Sequence, residues 1–128
     1  MNLLIDTCVF LWLIADDPQL SPLCRELFSD PANTVFLSAA SAWEIAVKNS
    51  IGKLPLPVAA HRFVLEQRNR LRVLSLPLNE QAALQISKLP PLHRDPFDRI
   101  LICQSIVEGF TLLTPDPLIT QYPVQAVW

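Results

Sequence analysis

Leu3-Leu4-Ile5-Asp6-Thr7, running on into Cys8-Val9-Phe10-Leu11-Trp12-Leu13-Ile14-Ala15, is the stretch that decides the fold. Three apolar residues are too few for a helix and suit a buried strand, while the longer apolar run after Asp6-Thr7 suits a buried helix. The same unit recurs down the chain. Val35-Phe36-Leu37 is a second short apolar strand, and Ser38 is placed to cap a helix from Ala39 to about Ser50 that stops at Gly52. Thr111-Leu112-Leu113 is a third, preceded by a helix that Asp95-Pro96 opens as N-cap plus first-turn proline and Gly109 closes. That helix is apolar nearly all round at Ile100-Leu101-Ile102-Cys103, so it belongs in the centre of the molecule.

Between these units, Ser21-Pro22 predicts a helix to about Phe28, and Asp30-Pro31-Ala32-Asn33 a turn. Leu54-Pro55-Leu56-Pro57 breaks the chain before an amphipathic helix from Val58 to about Asn69, with Phe63 on its apolar side. Arg72 to Leu76 alternates like a strand, Asn79 starts a helix reaching about Lys88, and Pro90-Pro91 is a connector. Asp116-Pro117 repeats the cap-plus-proline pattern, and Val124 to Trp128 supplies a final short strand. Short apolar strands alternating with helices require crossovers and burial on both faces. The expected fold is therefore α/β: a three-layer α/β/α sandwich around a central, mainly parallel sheet. With 128 residues, 51% of them hydrophobic, the chain is read as a single domain over residues 1–128.

Charged residues make up only 17% of the chain and the mean hydropathy is +0.32, which points to an apolar surface that a partner or a dimer would cover. The net charge of −2 runs against a simple polyanion-binding surface. Nucleic acid is compatible with it only if carboxylates gather round a cation while basic residues line the rim. Arg62, Arg68, Arg70, Arg72, His93, Arg94 and Arg99 are the candidates for that rim. Cys8, Cys24 and Cys103 are odd in number and contain no CxxC pair, so neither a disulfide framework nor a zinc site is indicated. Leu3 to Ala15 is interrupted by Asp6 and too short to span a bilayer, and the chain is expected to be cytoplasmic.

In an open parallel sheet, ligands sit beyond the carboxyl ends of the strands. Asp6 follows the first strand, Asp116 closely follows Thr111-Leu112-Leu113, the helix after Ser38 carries Glu44, and Asp98 lies in the first turn of the central helix. Each acid alone also fits a plain role. Asp6 and Asp116 suit helix N-caps, Glu44 an i, i+4 pair with Lys48, and Asp98 the helix dipole. Together they point elsewhere, because several carboxylates converge only if they share a proton or a cation. An all-oxygen set suits Mg²⁺ or Mn²⁺, and such ions promote phosphodiester hydrolysis. Asp95 is assigned mainly to capping. Trp12, Trp43 and Phe10 could line a partner groove, but core packing is their expected role.

Leu4-Ile5-Asp6-Thr7, Ser38-Ala39-Ala40-Ser41-Ala42-Trp43-Glu44-Ile45-Ala46-Val47-Lys48, His93-Arg94-Asp95-Pro96-Phe97-Asp98-Arg99-Ile100-Leu101-Ile102 and Leu113-Thr114-Pro115-Asp116 resemble, in order and over nearly the whole chain, the PIN-domain ribonucleases. Within these the likeness is to the VapC-type toxins of bacterial toxin–antitoxin pairs. The middle two segments are the most specific. The resemblance implies an α/β/α fold, cleavage of single-stranded RNA with Mg²⁺ or Mn²⁺, inhibition by a cognate antitoxin, and a homodimer. Carried over by position, Asp6, Glu44, Asp98 and Asp116 match the family's acidic metal site; the expected arrangement has Asp6 and Asp98 binding the principal ion directly, with Glu44 and Asp116 completing the cluster through water or a second ion. Thr114 is a supporting hydroxyl, Asp95 an additional acid, and Arg99 or Lys48 a group to steady the phosphate. Two departures stand out. Cys8 occupies a place where many similar sequences have His, and Pro115 stiffens the segment before Asp116. Two rivals are an interaction module that keeps the acids only as caps, and a phosphotransferase or phosphatase with Asp6 as nucleophile. The second normally needs another acid two residues on, where this chain has Cys8.

Overall fold

The computed structural model describes residues 1–128 and contains a five-stranded, all-parallel sheet in the order β3-β2-β1-β4-β5. The strands are β1 (Asn2–Ile5), β2 (Thr34–Ser38), β3 (Leu74–Leu76), β4 (Thr111–Leu113) and β5 (Ala126–Val127). Six α-helices connect them: α1 (Thr7–Ala15), α2 (Pro22–Ser29), α3 (Ala39–Ser50), α4 (Ala60–Leu71), α5 (Glu80–Leu84) and α6 (Pro96–Glu108). This is the α/β/α sandwich the sequence predicts, and the two-residue period of β1 explains why it needs helices on both faces. Leu3 and Ile5 pack on one side with Val9, Phe10, Cys24, Ile45 and Phe63, from α1 to α4. Leu4 points to the other side, into Leu101, Ile102, Cys103, Ile119 and Tyr122. All three β1 side chains are fully buried, and each such Leu or Ile contributes about 1.5–3 kcal/mol.

Caps formed where the partner is two or three residues away. Ser21 Oγ accepts from the Cys24 N–H at 3.0 Å, Ser38 Oγ from Ala40 at 3.0 Å, Asn79 Oδ1 from Ala82 at 2.8 Å and Asp95 Oδ1 from Phe97 at 2.9 Å. Gly109, with φ +71°, closes α6 in the left-handed conformation that glycine adopts without strain. The less regular parts of the chain depart from expectation. The strand expected at Arg72–Leu76 is only Leu74–Leu76, because Arg72 takes φ 57° to end α4. The helix from Asn79 tightens into a 3₁₀ turn over Gln85–Lys88. Asp116-Pro117 opens no α-helix: a single 3₁₀ turn at Ile119–Gln121 follows, and the Asp116 carboxylate caps only the Leu118 N–H.

β1 lies at the centre of the sheet with β2 on one side and β4 on the other, so the chain reverses its direction of growth there. The carboxyl ends of β1 and β4 consequently diverge into separate connections and leave a crevice at one edge.

Candidate active site

Asp6, Glu44, Asp98 and Asp116 line one cavity of about 410 Å³ at that edge, together with Thr7, Cys8, Lys48, Lys53, Asp95 and Pro115. Each acid arrives by a different route. Asp6 leaves β1 with its N–H still paired to Leu113 C=O at 3.0 Å. It occupies the N-cap place of α1, where the Thr7 and Cys8 N–H groups favour its charged form, but its well-formed hydrogen bond is a long-range one: Oδ2 accepts the Thr114 hydroxyl at 2.7 Å. Thr114 also accepts the Asp116 N–H at 3.2 Å, so one hydroxyl joins the ends of β1 and β4.

Glu44 projects from α3 and is buried. Its Oε2 meets Lys48 Nζ at 2.5 Å, as the i, i+4 spacing predicts. Its Oε1 accepts the Thr7 hydroxyl at 2.7 Å, leaving Thr7 to accept from Ser41 Oγ at 2.8 Å. Asp98, in the first turn of α6, and Asp116, beyond β4, both face His93. Nε2 of His93 is 2.6 Å from Asp116 Oδ2 and 3.1 Å from Asp98 Oδ2. The ligand atoms of these three residues lie within 4.8 Å of one another.

The match to the PIN domain family extends over residues 3–124. The chain belongs to the PIN domain family. Among relatives of known role, a 46-residue segment covering 36% of the chain is 44% identical to Ribonuclease VapC16 of Mycobacterium tuberculosis, and it spans about a third (33%) of that protein's length. The fold superposes on a chain of the VapBC2 crystal structure from Rickettsia felis, bound to a DNA fragment from their promoter. The TM-score is 0.74, at 16% identity, over 100% of this chain and 99% of the other. A chain of VapBC-1 from nontypeable Haemophilus influenzae gives a TM-score of 0.67, at 18% identity, over 99% and 97%. At such identities the two likenesses establish the shared PIN fold.

The acids of this PIN domain are held near one another against their own repulsion. Burial pushes the Asp98 carboxyl up from 3.8 to about 7, the charges of Asp6 and Asp95 push the same way, and His93 opposes them. Asp6 is raised as well, by burial first; the Thr114 hydroxyl draws it back and the charge of Glu44 adds to the rise. The Cys8 thiol, half-buried beside them, is pushed up to about 12 by burial and then by the charges of Asp6 and Asp98. At that value the thiol of the ion-free protein is neutral near pH 7. Apart from His93 Nε2, the donors here are mainly the carboxylate oxygens of the wall, a predominantly hard set that fits Mg²⁺ or Mn²⁺.

Several expectations about side chains change. Arg99 is absent from the cavity wall; it lies near Cys103, one turn along α6, with a buried Nε that has no hydrogen-bond partner. The rim cations are Lys48 and Lys53 rather than the arginines, none of which lines the cavity. Arg62 pairs with Glu66, Arg70 reaches the Ile14 carbonyl, and Arg68 folds back on the Val73 carbonyl at the end of α4. His93, expected at the basic rim, is instead nine-tenths buried among the carboxylates. Its position two residues before the Asp95 cap was the available signal, because a side chain there can fold back onto the cap's N–H. Trp43 does not join the core: it is 63% exposed and packs against Phe97 in a tilted arrangement, centroid to centroid 5.6 Å, while Phe10 is fully buried and Trp12 is half-buried against Trp128.

Proposed function

We propose that this chain is a VapC-type toxin: a Mg²⁺-dependent endoribonuclease that hydrolyses RNA phosphodiester bonds as a single domain over residues 1–128 and is inhibited by a cognate antitoxin. The observation that carries the reading is the convergence of Asp6, Glu44, Asp98 and Asp116 on one cavity, with burial raising Asp6 and Asp98. Four acids lining one cavity, of which Asp98 and Asp116 meet at His93 while Asp6 and Glu44 stand further round the wall, are unfavourable as caps or surface charges and favourable round a divalent cation. Asp6 and Asp98 would bind the ion directly, with Glu44 and Asp116 completing the set; Mn²⁺ would serve in place of Mg²⁺. Bound there, such an ion lowers the pKa of water and offsets the charge that develops on the phosphate.

The chain's own residues do the rest. Thr114 holds the Asp6 carboxylate in place, and Thr7 does the same for Glu44. Lys48, kept cationic chiefly by its hydrogen bond to Glu44, and Lys53 stand on the cavity wall where a phosphodiester backbone would pass. The same acidic cavity would receive an Arg or Lys from the antitoxin, with an apolar segment of that partner covering nearby surface. The VapBC pairs among the structural neighbours and the VapC16 segment support this assignment. A cytoplasmic homodimer is the working assembly, and no helix is long and apolar enough to cross a membrane.

The decisive experiment is cleavage of single-stranded RNA by the wild type, Asp6→Ala and Asp98→Ala, each with Mg²⁺ and with EDTA. The wild type should cleave only with the ion, and both variants should fall to background. Equal activity in all three proteins, or full wild-type activity in EDTA, would refute the assignment.

A further inference from the structure

We infer that His93 is a positioning residue for the acidic site, an imidazole whose Nε2–H ties Asp98 to Asp116 from outside the cation's own coordination. The inference rests on the reading of the cavity as a divalent-cation site.

The backbone determines which ring nitrogen carries the proton. His93 Nδ1 accepts the N–H of Asp95 at 3.0 Å. A nitrogen that accepts has its lone pair engaged, so the hydrogen available to the carboxylates is the one on Nε2. Nε2 is the atom shared by Asp116 Oδ2 at 2.6 Å and Asp98 Oδ2 at 3.1 Å, and it meets them as a donor. His93, Asp98 and Asp116 are close enough together to suggest a three-ligand metal site. Ligation through Nε2 would require the proton on Nδ1, directly opposite the Asp95 N–H. The local turn thus makes His93 an outer partner of the carboxylates rather than a ligand.

The ring is held from the core. The Leu92 and His93 N–H groups both donate to the Tyr122 hydroxyl, at 3.1 and 2.7 Å, and Tyr122 is buried beside Leu101 and Ile102. Asp116 is fixed at its other oxygen by the Leu118 N–H at 2.9 Å, and Asp98 is anchored by the buried body of α6. One connected chain, from a core phenol through the loop at residues 92–93 to the imidazole, therefore aims two carboxylates from different parts of the sequence. Outer partners that orient ligands in this way typically change metal affinity 10–100-fold when removed.

Binding of Mn²⁺ without RNA tests this, by titration calorimetry and by electron paramagnetic resonance with electron spin echo detection of nitrogen, on the wild type, His93→Ala and His93→Gln. His93→Ala should bind Mn²⁺ about 10–100-fold more weakly. His93→Gln, which keeps an N–H donor, should recover part of the loss, and the wild-type spectrum should lack the coupling of a directly bound nitrogen. Unchanged or tighter binding by His93→Ala, no recovery in His93→Gln, or a direct nitrogen coupling in the wild type would each overturn the inference. Should His93→Ala fail to fold, Tyr122→Phe keeps the imidazole but frees its loop. It should weaken Mn²⁺ binding several-fold, and wild-type affinity in that variant would overturn the inference. A wild type that binds no Mn²⁺ would remove the cation-site reading itself, whereas a binding wild type with unaffected variants removes only the role of His93.

Discussion

Replacing Asp98 by Asn should stabilise the ion-free protein at alkaline pH while removing its response to Mg²⁺. The Asp98 side chain is 17% exposed, and its carboxyl lies at about 7, raised by burial first and then by Asp6 and Asp95. In the unfolded chain the same group titrates near 3.9. The folded protein therefore holds this proton more tightly than the unfolded one. Stability falls as pH rises between about 4 and 7, and the whole penalty is present above about 7. The displacement from 3.8 to about 7 corresponds to about 4 kcal/mol. The neutral amide escapes that penalty but leaves N–H groups in need of partners, at a cost of about 1–3 kcal/mol. A net gain of about 1–3 kcal/mol is expected in EDTA at pH 8, which raises Tm by about 3–10 °C for a chain of this size. By about pH 5, where the native carboxyl is already neutral, the gain should vanish. Mg²⁺ at 100 times its Kd should add about 2.7 kcal/mol to the wild type and much less to the variant. Thermal unfolding followed by circular dichroism, in EDTA and in Mg²⁺ at pH 5 and 8, measures all of these. An Asn variant less stable than wild type at pH 8 in EDTA, or a gain equal at both pH values, would refute the reasoning.

Thr114→Val removes the donor to Asp6 and the acceptor for the Asp116 N–H, and should destabilise the protein by about 1–3 kcal/mol in urea unfolding, with Thr114→Ser close to wild type. Cys8, with its thiol at about 12, should react with iodoacetamide at pH 8 about 10³-fold more slowly in the native protein than in guanidinium, as read by mass spectrometry of the Cys8 peptide.

Much of the fold was legible because the interactions that make it are local. The Ser21, Ser38, Asn79 and Asp95 caps each reach two or three residues, and the Glu44–Lys48 pair spans one helical turn. The alternation of Leu3, Leu4 and Ile5 between two cores follows from the geometry of any strand. Trp43 shows where such rules stop. Apolar character favours burial, but α3 turns this ring outward onto Phe97, whose position α6 decides.

By itself, then, the sequence determined the alternation of buried strands and helices, the parallel sheet that this alternation demands, and the four acids at the carboxyl edge. The roles of those acids were decided only in three dimensions. Asp6 stands at a helix N-terminus where Asp often caps, yet it binds a hydroxyl 108 positions away, and Glu44 takes a second partner 37 positions back. His93 exchanged an expected place on the surface for a bridge between Asp98 and Asp116, and Arg99 turned from the cavity towards Cys103. Caps and i, i+4 pairs are set by backbone geometry within a turn or two. Carboxylates from four separate elements share one cavity only because the sheet brings the ends of β1 and β4 side by side.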